Sequence, residues 1–153
     1  MSRRAGILVA TAALGVVVFA LLPGRGPSAQ VRALKADAMA GYVPQGGTLV
    51  QTRSQNEGTA LGKPVRAELS RMFELTAGGA DARLQQARAA AKSAGWTHLT
   101  PDFTVAGATA FSAKKRGPAG RTELDVTFYA DSTLLGDGVE PPALRVTLRR
   151  LAP

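Results

Sequence analysis

His98 is the only histidine of the chain, so it could act as a general base or supply one metal ligand, but never as part of a two-histidine site. No Gly-x-Ser-x-Gly elbow and no paired-carboxylate motif lies near it. Its expected place is the surface or the flank of a helix. Glu57, set between Asn56 and Gly58 in a polar stretch, becomes a partner only if the fold brings the two together.

Two further groupings resemble known chemistry and fall short of it. Gly58 to Lys63 reads Gly-Thr-Ala-Leu-Gly-Lys, close to a phosphate-binding loop, but only three residues separate the glycines and Pro64 replaces the hydroxyl that should hold magnesium. A hairpin loop using glycine for positive φ is the expected reading. Asp131, Asp137 and Glu140 share one loop with Gly136 and Gly138, yet their spacing is not the every-second-residue pattern of a calcium hand. A solvated turn is expected there, with no metal or other cofactor.

The densest positive group is Lys114, Lys115 and Arg116, with Arg121 beyond a Gly-Pro turn. Arg145, Arg149 and Arg150 converge on it if the last strands are neighbours. These four residues, Lys114, Lys115, Arg116 and Arg121, are the candidate anionic-surface site, suited to lipid headgroups. The role expected ahead of that one is a charged hairpin tip that discourages edge-to-edge aggregation.

Composition narrows the chemistry further. The 153 residues include no cysteine, which removes disulfides, thiolate metal sites and lipid attachment through a thiol. Setting aside Arg3 and Arg4 lowers the net charge from +8 to +6, so the remainder is still basic. Membrane headgroups and envelope polymers are the polyanions expected to meet it, rather than nucleic acid.

The elements that must position these residues begin with an uncharged run from Ala5 to Leu22, closed by Pro23 and Gly24 and preceded by Arg3 and Arg4. At about 1.5 Å per residue it spans about 27 Å, enough to cross a bilayer core. Cleavage after Ala29 or Ser28 would place Pro27 among the residues a signal peptidase reads, so an anchor is favoured over a removed signal. The positive tip stays in the cytoplasm and the domain lies outside; a cleaved segment would make the protein secreted. Residues 1–28 are thus tip, anchor or signal, and linker. Residues 29–153 form one extracytoplasmic domain.

Within it the periodicity predicts a short helix over 29–40 and strands over 48–54 and 64–75, joined by a long loop at 55–63. A main helix follows Gly78 and Gly79, capped by Asp81, buried through Leu84, Ala87, Ala91 and Ala94, and stopped by Gly95. Trp96 is expected to cover the end of that interface. Strands follow over 103–113, 121–130 and 143–151. The order β-β-α-β-β-β predicts an α+β fold, an antiparallel sheet of about five strands with one main helix on one face.

The function expected is that of a non-enzymatic, membrane-tethered module that binds a protein or envelope component through its sheet face or basic loop. The alternatives are a small hydrolase-like enzyme using the 55–63 loop, and a domain that adheres electrostatically to the membrane surface.

Overall fold

Alternation is cleanest where Leu124, Val126 and Phe128 face one way and Leu144, Val146 and Leu148 do the same, and these runs form the centre of the sheet. The computed structural model describes residues 26–117, 120–131, 135 and 138–151. The run 5–22 and Asp137 lie outside them. Among the described residues no helix is long and apolar enough to cross a membrane.

Among the described residues two helices, α1 (Ala29–Lys35) and α2 (Ala80–Ser93), accompany eight strands: β1 (Gly47–Gln55), β2 (Gly58–Ala60), β3 (Lys63–Val65), β4 (Glu68–Leu75), β5 (Phe103–Val105), β6 (Ala108–Gly117), β7 (Gly120–Tyr129) and β8 (Ala143–Arg150). The main sheet has six strands in the order β1-β4-β8-β7-β6-β5, every pair antiparallel, and β2 and β3 make a separate ribbon.

The strand count departs from about five because two expected strands are interrupted. The run 103–113 folds back on itself at Ala106 and Gly107, both at positive φ, the geometry of a two-residue hairpin turn. The run 64–75 is cut after Val65, its first residues pairing with Gly58–Ala60 across a turn at Leu61 and Gly62, again both at positive φ. The expected 55–63 loop is therefore half of a ribbon, and its glycines shape a hairpin, not a phosphate cradle.

The first helix is also shorter than expected. It ends at Lys35, and Asp37 then caps a 3-10 turn, Ala38–Ala40, by accepting from the Met39 N–H. Helix α2 starts after Gly79 with Asp81 in its first turn, where the carboxylate meets the positive end of the helix dipole without capping it.

Val31 and Leu34 of α1 and Leu84, Ala87 and Ala91 of α2 pack on the same sheet face as Phe73, Phe111, Leu124, Val126, Leu144 and Leu148. The alanines let α2 lie close to the strands, and Trp96 closes the end of the interface as expected, 2% exposed. Among the described residues no helix covers the other face.

Candidate functional site

The register gathers one end of every long strand into one region. Gln55 of β1 stands opposite Glu68 of β4, Glu68 opposite Arg149 of β8, Arg150 opposite Thr122 of β7, and Arg121 opposite Arg116 of β6. The ribbon β2–β3 joins β1 to β4 at this same end. The first described residues are tied there too: the Ser28 N–H donates to Asn56 Oδ1 at 2.9 Å and the Ser28 hydroxyl to Glu57 Oε2 at 2.5 Å.

The candidate cations sit here in a cleft of about 670 Å³ lined by His98, Lys114, Lys115, Arg116 and Arg121 together with Thr97, Thr122 and Leu151. They do not act alike. Lys114, Lys115 and Arg116 continue strand β6 where the composition suggested a loop, so alternate side chains take opposite faces. Lys115 turns toward the helices, where Nζ donates to Asp37 Oδ2 at 2.8 Å and to the Ala94 carbonyl at 2.7 Å, 5.6 Å from the Trp96 ring centroid. It is a structural cation. Lys114, Arg116 and Arg121 are exposed, and Lys114 stands opposite Glu123 across the ladder.

Arg116 and Arg121 face each other directly as a cross-strand pair. Like charges so placed destabilise a sheet, so the pair is better suited to a negative ligand than to the fold. Arg150 adds a buried Nη1 that has no hydrogen-bond partner, its guanidinium lying against the backbone at Gly120, where a Cβ would collide with it. Arg149 is engaged with Glu68 at 2.9 Å and Asp125 at 3.4 Å; burial pushes its pKa down, but the hydrogen bond to Glu68 and attraction to Glu68, Asp125 and Glu123 together outweigh it and raise the pKa.

His98 and Glu57 do not come together. His98, in a left-handed backbone conformation at φ 49°, borders a cleft whose lining contains no carboxylate. Glu57 borders a separate hollow with Gly26, Ser28 and Asn56. Its carboxyl is held below the usual range, first by the Ser28 hydroxyl and then by its own amide. Asp131 and Glu140 are exposed, and among the described residues no three acidic or histidine side chains are placed to hold a metal.

A second surface, which sequence reasoning located only as a sheet face, is the helix-free side. A groove of about 520 Å³ runs over Ala108, Ala110, Tyr129 and Arg145 to the Asp125–Arg149 ion pair, with Phe103 and Val105 on its rim at 45% and 62% exposure. The turn at Ala106 and Gly107 folds β5 onto β6 and thereby places both apolar side chains on this face. The guanidinium of Arg145 lies 5.1 Å from the Tyr129 ring centroid and makes no ion pair among the described residues.

No protein family matches the chain, and no curated protein or solved structure matches it at a significant level.

Proposed function

We propose that this protein is a membrane-tethered extracytoplasmic binding module that takes a protein segment of the cell envelope on its helix-free sheet face. The observation that carries the reading is the groove beneath Phe103 and Val105, where two exposed apolar side chains stand over a floor containing the Arg145 guanidinium, which lies on the Tyr129 ring and makes no ion pair among the described residues. Antiparallel sheets commonly leave one face to water, but such a face is polar throughout. This one also carries a buried cluster of Met72, Ala108, Tyr129 and Ala143 extended by Leu135 and Val139. An extended segment bearing apolar and acidic side chains matches that surface.

The tether rests on the length and flanking charges of residues 5–22. The test is a photo-crosslinking amino acid placed at Val105 in one sample and at Gln85, on the exposed side of α2, in another, in the full chain within its native membrane. Discrete adducts from position 105 and not from 85 are expected. Adducts from neither position, or equally from both, would sink the reading.

A further inference from the structure

The end of the sheet that gathers the cations is also the end from which the chain runs toward residues 5–22. We infer that this end is a docking surface for the headgroups of an anionic phospholipid bilayer. The inference rests on the tether just proposed, and three observations carry it.

The first is reach. Gly26 accepts from Asn56 Nδ2 and Ser28 is bonded to Asn56 and Glu57, so the linker is fixed at the root of the ribbon. From Leu22 to Gly26 the chain extends at most about 14 Å, which keeps this end close to the membrane surface.

The second is charge. Lys63 and Arg66 of the ribbon arm and Arg116 and Arg121 of the β6–β7 hairpin are exposed, and none forms an ion pair among the described residues. The carboxylates nearby are engaged: Asp37 with Lys115, Glu68 and Asp125 with Arg149, Glu57 with Ser28. Glu57, exposed and bonded to a hydroxyl, keeps its charge, but against these four cations it leaves this end with a positive excess, the complement of an anionic surface.

The third is Leu61. It stands fully exposed at the ribbon tip between Ala60 and Gly62, two residues before Lys63, and an apolar side chain close to a cation suits the boundary between headgroups and acyl chains. Nothing in the fold requires a leucine at that turn position, where φ is positive.

The absence of cysteine allows a clean test. The full chain carrying Leu61→Cys or, at the opposite end of the sheet, Ala77→Cys is labelled with an environment-sensitive fluorophore. It is then reconstituted into vesicles of zwitterionic lipid alone or mixed with phosphatidylglycerol. The expected result is a blue shift and quenching by lipid nitroxides at position 61 only, only with the anionic lipid, and lost at about 1 M salt, where the Debye length is about 3 Å. Arg116→Glu with Arg121→Glu keeps a like-charged pair in the sheet, so the fold is no more strained. It should lower the docked-to-free ratio at least about tenfold, since each cation near the surface contributes about fivefold. Equal signals from 61 and 77, or a signal at 61 indifferent to anionic lipid and to the double reversal, overturns the inference. Flotation with purely zwitterionic vesicles reads the tether separately: a chain that fails to float there but docks on anionic vesicles refutes the anchor and keeps the surface.

Discussion

Asp37 accepts from three elements at once: the Met39 N–H of its own turn, the Trp96 indole at 3.2 Å and Lys115 Nζ at 2.8 Å. Removing its carboxylate strands a half-buried ammonium and an indole N–H, so Asp37→Ala should cost about 2 kcal/mol in urea unfolding. Lys114→Ala, one position away from Lys115 but exposed, should stay within about 0.5 kcal/mol. In the sequence these two lysines are indistinguishable. Strand alternation separates them, and Gly117 and Pro118 conceal it by reading as the end of a loop. At Ser28 the hydroxyl accepts from the Val31 N–H while donating to Glu57. Ser28→Ala should therefore weaken the cap of α1 by about 1 kcal/mol and move the Glu57 titration upward, part of the way toward the ordinary carboxylate range because its own amide still holds it down, readable by NMR. The sign follows from the lowered pKa: the Ser28–Glu57 bond is formed above the usual carboxylate range and is lost as pH falls through the lowered value.

At the scale of elements, the strands that alternate without interruption, β7 and β8, and the alanine-faced helix α2 were legible from periodicity alone. The turn at 106–107 was not, because Ala-Gly carries only one of the two residues that favour positive φ, and at 58–63 the glycines disclosed a hairpin loop but not the two three-residue strands that flank its turn. Sequence reading therefore merged β5 with β6 and missed the groove that β5 rims. Ala106→Asn, which tolerates that conformation, should hold or raise stability, whereas Gly107→Val should cost about 1–2 kcal/mol and fray β5, visible as faster amide exchange at Phe103 and Val105. Helix α2 sits close to the sheet because its contact residues are small. Ala87→Leu, fully buried, should overpack that interface and cost about 1–3 kcal/mol by calorimetry.

For the whole molecule, charge is distributed by topology rather than by composition. The antiparallel register puts the ribbon, the β6–β7 hairpin and the end of β8 at the same end as Gly26 and Ser28, which are bonded to Asn56. The basic excess was legible as a number, but its convergence needed the pairing of strands distant in sequence. On the proposed reading the two surfaces divide the labour: a cationic end toward the membrane and a helix-free face, rimmed by Phe103 and Val105, for a partner. Everything in that account depends on the side of the membrane the domain occupies. The most direct measurement uses single cysteines at Ser2 and at exposed Ala89 of the full chain, probed with a membrane-impermeant maleimide on spheroplasts. The account predicts immediate labelling at position 89 and labelling at position 2 only after lysis. Protection of position 89 until lysis would contradict it.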